Sequence, residues 1–219
     1  MRTQFAAIIF DMDGLLVNSE IVWHAAETEL LTSRGIVYTE EARSAIVGLR
    51  VDEFLAYLKD YYALPDSLQT LVDELNNRML TLIPTEVLPQ PGAEALLAYV
   101  VEQSIPRAIA SNSSLAIINT TVEGCGWGDL IPVRCSADDE AHGKPAPDVY
   151  LTAARRLGVN PADCLALEDS VNGAKAVVAA GMTCFAVPDP SHATPALFAD
   201  ITPHVFASLD DVLAVLRGV

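Results

Sequence analysis

Positive charge is what this 219-residue chain has least of. Its 13 lysines and arginines stand against 29 aspartates and glutamates, a formal net charge of −16. So acidic a field argues against nucleic acid or an anionic membrane surface as a partner. It also means that an anionic small molecule has to be held by local positive groups. Cysteine pairs at metal-binding spacing are missing too: Cys125, Cys135, Cys164 and Cys184 form no CxxC, which argues against zinc and redox-dithiol sites. Reduced, buried structural thiols suit the cytosol instead. No apolar run approaches membrane-spanning length, and "FAAIIF" (residues 5–10) is too short, and too soon followed by acids, for the apolar stretch of a secretory signal. The expectation is a soluble, cytoplasmic protein, monomeric, with no internal repeat and no low-complexity tract.

What is present is apolar residue, 51% of the chain, with only 13 prolines. That composition and length fit one large globular domain, or a core carrying a smaller insert. "FAAIIF" reads as a fully buried strand. Asn18 or Ser19 can then cap a helix with Glu20 in its first turn. From there to about Ile83 only helical periodicity is found: Phe54, Leu58, Tyr61 and Tyr62 form one stripe, and Leu68, Leu71, Val72, Leu75, Met79 and Leu82 another. Gly35 reads as a helix C-terminal glycine. At "PTEVLPQPGAEALL" the pattern changes, and Pro91-Gly92 can open a helix. Strand-like runs then alternate with helices: "PRAIAS", "IPVRCSA", "CLALEDS" and "TCFAVPD". Such alternation predicts an α/β fold, a Rossmann-like parallel sheet with helices on both faces. Residues 1–16 and 87–219 are expected to form the core, and 17–86 an inserted α-helical cap.

In open parallel sheets ligands bind beyond the carboxyl ends of the strands. The polar residues predicted there are Asp11 and Asp13 in "DMDG", Ser111-Asn112-Ser113, Lys144 in "HGKPAPD", and Glu168-Asp169-Ser170. Asp11 and Asp13 would repel each other at close range unless positive charge lay beside them. Taken singly, each piece has an ordinary explanation. Asp-x-Asp-Gly is a common strand-ending turn, "SNSS" a helix N-cap, Lys144 a solvated lysine, and Glu168-Asp169 loop acids, with Ser170 and Asn172 starting a helix. Their order and shared placement are what a bland reading leaves unexplained.

In these residues the chain resembles the haloacid dehalogenase superfamily of phosphohydrolases. "AIIFDMDGLLVNS" matches its first motif, "AIASNSS" the second, "GKPAPD" the third and "LEDSVNG" the fourth. A helical cap after the first motif matches the subgroup that includes β-phosphoglucomutase and sugar-phosphate phosphatases. The resemblance implies a Mg²⁺-dependent phosphatase acting on a small phosphorylated metabolite, such as a sugar phosphate. It assigns Asp11 as the nucleophile that becomes an aspartyl-phosphate, and Asp13 as general acid and base. It implies Mg²⁺ on Asp11, the main-chain carbonyl of Asp13, and Asp169, with Glu168 a further ligand or a partner behind the ligands. Ser111 and the Asn112 main-chain N–H would hold phosphoryl oxygens, and Lys144 would neutralise phosphate and nucleophile. Gly14 would let the backbone turn sharply. Related caps carry a glycine and an arginine facing the site, which makes Gly48 and Arg50 specificity candidates. Hexose, pentose and deoxy-sugar phosphates and phosphogluconate all remain open.

Other readings fit the residues less well. A phosphomutase of the β-phosphoglucomutase type has a histidine where this chain has Trp23, with His24 off by one. Haloacid dehalogenases proper lack the second aspartate, and phosphonatases expect a Schiff-base lysine in the cap, where Lys59 is the only lysine. A receiver-like phospho-acceptor module is about half this length and lacks a helical insertion. The histidines His24, His142, His192 and His204 are scattered and read as surface or core residues, and Trp23 and Trp127 as packing residues. Asn18 stands where many relatives have aspartate; either residue can cap a helix.

Overall fold

The computed structural model describes residues 5–46 and 48–218. The outer ends of the expected core (1–4 and 219) and Val47 of "VGLRVDE" lie outside the described residues. The apolar run after Phe5 becomes β1 (Ala7–Phe10), every residue of which is buried. It lies at the centre of a five-stranded sheet, with β4 (Arg107–Ser111) and β5 (Val133–Ser136) on one side and β6 (Cys164–Glu168) and β7 (Thr183–Ala186) on the other. All four pairings are parallel, with Phe10 opposite Ile109 on β4 and Leu167 on β6. A parallel sheet must be covered on both faces. Accordingly Ile8 and Phe10 pack with α5 (Ala93–Glu102), α6 (Leu115–Gly124) and α9 (Leu209–Arg217). Ala7 and Ile9 point the other way, into α7 (Asp148–Leu157) and α8 (Val171–Ala179).

Between β1 and the rest of the sheet come α1 (Glu20–Thr32), α2 (Glu40–Ser44), α3 (Val51–Tyr61) and α4 (Leu68–Glu86). Phe54 and Leu58 of α3 and Leu71, Leu75 and Met79 of α4 are buried, as the stripes predict; Leu55 and Ile83 are buried beside them, whereas Tyr62, Leu68, Val72 and Leu82 are half-buried and Tyr61 is exposed. α4 packs against α1 and α3 and also against α6. Arg34 clamps the end of α1 to α4, reaching Asp66 at 3.0 Å and Glu74 at 2.6 Å. Among the described residues no helix is long and apolar enough to cross a membrane.

Three expectations need correcting. The segment after residue 16 is not wholly helical: β2 (Val17–Asn18) pairs antiparallel with β3 (Leu88–Pro89), strands too short to leave a periodic signal. α4 continues past Ile83 to Glu86 with Pro84 inside it. Proline there forfeits one intrahelical bond, and the Val87 N–H still reaches the Ile83 carbonyl at 3.2 Å. Ser19 occupies the N-cap position of α1, yet its side chain makes no capping bond; its hydroxyl is engaged elsewhere, as described below. Gly35 does adopt the left-handed conformation expected past a helix end, φ 72°.

Glu27 of α1 is buried and accepts the Tyr38 hydroxyl at 2.8 Å. Burial pushes its carboxyl up to about 7, against a lowering by the Tyr38 bond. The folded protein therefore holds a proton there that the unfolded chain releases near its ordinary value. The resulting stabilisation is complete below about pH 4.5 and is lost as pH rises through about 7. Replacing Glu27 with Gln should make the melting temperature less sensitive to pH between 5 and 8.5, with a gain of up to about 3 kcal/mol at the alkaline end. Parallel melting curves for the two proteins over that range would refute this.

Candidate active site

β1 and β6 are neighbours from which the chain continues towards opposite edges of the sheet, the place where open α/β sheets bind ligands. Asp11 follows β1 there, Glu168 ends β6 with Asp169 behind it, and Ser111 ends β4. Lys144 enters from the loop before α7 and is only 3% exposed. Its ammonium donates to Asp11 Oδ1 and, at 2.6 Å, to Glu168 Oε1. Although burial opposes its charge, Asp11 and Glu168 hold its pKa above the ordinary lysine range.

Glu168 is fully buried and both of its oxygens are occupied. Oε1 also accepts the Tyr150 hydroxyl at 2.6 Å, while Oε2 accepts the Asp169 and Ser170 N–H groups and the Ser170 hydroxyl at 3.2–3.3 Å. Room for that carboxylate comes from Gly173 on α8, where a Cβ would lie 1.9 Å from it. Gly14 has φ 80°, and a Cβ there would lie 2.2 Å from Asp169 Oδ2. The turn needs glycine for conformation and for clearance alike.

Asp13 is set differently from Asp11. Its Oδ1 accepts the Ser19 hydroxyl at 2.7 Å and the Trp23 indole N–H at 3.0 Å; its Oδ2 accepts the hydroxyls of Ser113 at 2.7 Å and Ser111 at 3.2 Å. Trp23 packs edge-on against Phe54 as anticipated, 6.2 Å between ring centres, and in addition supplies this donor. Asn112 ties three segments together, donating to the Gly48 carbonyl at 3.0 Å and accepting the Lys144 N–H at 2.9 Å. The Lys144–Pro145 peptide bond is cis.

Asp11, Asp13, Ser111, Asn112, Lys144 and Asp169 thus line a single cavity, and Gly48 borders it. Arg50 is directed elsewhere. Its guanidinium pairs with Asp52 at 2.6 and 2.8 Å and reaches the carbonyls of Ala137 and Glu140. Lys59 is bound to the carbonyls of Leu64 and Asp66. Sequence reading placed Ser113 at this edge without giving it a role, read His192 as a surface or core histidine, and did not name Tyr150. Tyr150 looks like any apolar position of an amphipathic helix. His192 lies 3.2 Å from Asp169 Oδ2, brought there by a loop that carries no periodic signal.

Carboxylate oxygens of Asp11, Glu168 and Asp169 lie within 4.8 Å of one another. Burial raises the pKa of Asp11 well above the usual carboxylate range, against the pull of Lys144, and raises Asp169 to about 7. One ammonium does not balance three buried carboxylates, so the donor set fits a hard divalent cation, which would favour the ionised acids.

A family profile described as haloacid dehalogenase-like hydrolase matches residues 5–181. The chain belongs to that family. Hexitol phosphatase B of Escherichia coli K12 is 36% identical over 190 residues, 85% of each chain. A probable pseudouridine-5'-phosphatase of Drosophila melanogaster is 34% identical over 213 residues, covering 90% of this chain and 92% of its own. Among solved structures, phosphate-bound CbbY of Rhodobacter sphaeroides superposes with a TM-score of 0.88 at 26% identity, covering 98% of this chain and all of its own. The parallel sheet and its flanking helices are therefore those of a haloacid dehalogenase-like hydrolase, and the protein is an enzyme.

Gly173→Ala should force the Glu168 carboxylate off Lys144. We expect the melting temperature to fall by about 5 °C or more and hydrolysis of p-nitrophenyl phosphate to drop at least about tenfold. A variant matching the parent in both would show that Glu168 does not organise the site.

Proposed function

We propose that the protein is a Mg²⁺-dependent phosphatase that hydrolyses a small phosphorylated metabolite through an aspartyl-phosphate on Asp11. The observation that carries this reading is the contrast between two carboxylates two positions apart. Asp11 is buried against an ammonium, and Asp13 is cradled by three hydroxyls and an indole N–H. The family's named phosphatases support it. Residues 17–86 act as a cap over the cavity, with 1–16 and 87–219 as the catalytic core. The four cysteines, all free and three of them buried, accord with a reducing cytoplasm.

Asp11, Asp169 and the Asp13 carbonyl would hold the ion, and Glu168 would keep Lys144 in place. When bound, Mg²⁺ supplies charge neutralisation for the phosphoryl oxygens. Asp11 Oδ1 is held by Lys144, leaving Oδ2 to attack phosphorus in line with the ester oxygen. As the phosphorus–ester bond breaks, Asp13 gives its proton to the departing alkoxide. Asp13 then takes a proton from water, whose oxygen attacks phosphorus and releases inorganic phosphate and the Asp11 carboxylate. Ser111 and the Asn112 N–H, at the start of the loop before α6, hold phosphoryl oxygens throughout. Trp23 donates but cannot accept a proton, which favours delivery of the group to water over the mutase alternative.

Asp11→Asn should lower turnover of p-nitrophenyl phosphate by at least about 10³-fold while leaving the melting temperature within a few degrees of the parent's. Near-parental turnover would rule out Asp11 as nucleophile. Chelation by EDTA should abolish activity and excess Mg²⁺ should restore it. Full rates in the chelator would remove the metal from the mechanism.

A further inference from the structure

On α1, Glu20, Trp23, His24 and Glu27 fall at i, i+3, i+4 and i+7, and all four line the cavity. Val22, Ala26, Leu30 and Leu31, by contrast, are buried in the apolar core. The helix therefore presents a largely polar stripe to the ligand space where packing alone would call for none. Ile46, Leu49, Val51 and Phe54 line the same cavity.

The charge on this wall is nearly all negative. Among the described lining residues, fixed positive charge comes from Lys144 and Arg43. Lys144 is engaged by Asp11 and Glu168 at the phosphate end. Arg43 stands between Glu20 at 3.6 Å and Glu40 at 3.5 Å. Glu27 receives the Tyr38 hydroxyl and no guanidinium. His192 lies beside Asp169, and the His24 ring stacks obliquely on Tyr38 at 5.7 Å. Burial raises the pKa of Glu20 and of Glu27, which weakens the negative field without reversing its sign.

Taking the phosphatase reading as its basis, we infer that this wall selects an uncharged, polyhydroxylated leaving group and rejects esters bearing a carboxylate or a second phosphate. Glu20, Glu27 and Arg43 act as specificity determinants. Hydroxyl groups can donate to the two carboxylates and accept from the guanidinium, and the C–H face of a sugar or polyol can lie on the Trp23–Phe54 surface. A second anionic group would meet Glu20 and Glu27 with no uncommitted cation to offset its desolvation.

The test is a set of matched esters at pH 8 with Mg²⁺: glucose 6-phosphate against 6-phosphogluconate, fructose 6-phosphate against fructose 1,6-bisphosphate, and sorbitol 6-phosphate, with p-nitrophenyl phosphate as a probe of the chemistry alone. We expect the best uncharged ester to exceed every doubly anionic one by at least about tenfold in kcat/KM. In Glu27→Gln and Glu20→Gln that ratio should fall by about threefold or more, because the acidic esters lose a repulsion the others never felt. A carboxylated or bisphosphorylated ester as best substrate, turnover confined to p-nitrophenyl phosphate, or a ratio unmoved by both substitutions would overturn the inference while leaving the phosphatase reading intact. Absence of p-nitrophenyl phosphate hydrolysis would overturn both.

Discussion

Lys144 is a cation in the interior, reached by no more than a trace of solvent, and it is shared between Asp11 and Glu168. Taking three such charges out of water costs several kcal/mol for each, and mutual attraction returns that only when geometry is good and the remaining lone pairs are occupied. The surrounding structure meets that condition in detail. Tyr150 and the amides after β6 fill the oxygens of Glu168, and Gly173 leaves space for them. The central strand places Asp11 at the same level of the sheet. Specificity of arrangement, more than stability, is what this costly interior supplies, and one ammonium among three carboxylates leaves a deficit of positive charge that a divalent ion would meet.

Asp13 shows how a step of two residues can change chemistry. Past the end of β1 the alternation of side chains lapses, so Asp11 and Asp13 face one cavity from unlike surroundings. The first is dominated by burial and Lys144. The second takes donors from both parts of the chain, Ser111 at the end of β4 and Ser113 just past it, Ser19 and Trp23 at and beyond the start of α1. The α1 contribution depends on how that helix is seated, which couples the acid–base group to the helical layer that also forms the ligand-facing wall.

Much of this was legible in the residues. Runs such as "AIIF" and "CLALE" have no alternation because both faces are covered, so the parallel sheet announced itself. The polar residues at the ends of those runs were identified by where strands must stop. The ribbon of β2 and β3 escaped because two-residue strands have no period. Trp23 read correctly as packing, but a hydrogen bond from its one polar atom leaves no mark in a hydrophobic pattern. Arg50 was named from a likeness between caps, and a residue's direction of approach does not follow from likeness: its neighbour Asp52 and two carbonyls draw it off the cavity. The polar stripe on α1 stands in the sequence at helical spacing, but a helix with polar residues on two faces does not say which of them meets solvent and which a ligand.

The short ribbon at Val17–Asn18 and Leu88–Pro89 limits what the inserted helices can disturb. The polypeptide departs from the sheet and comes back to it through adjoining backbone segments, so whatever is spliced between them alters neither the alignment of the central strands nor the spacing of the acids behind them. The inserted helices still bear on the chemistry, because Ser19 and Trp23 carry the donors that hold Asp13 Oδ1.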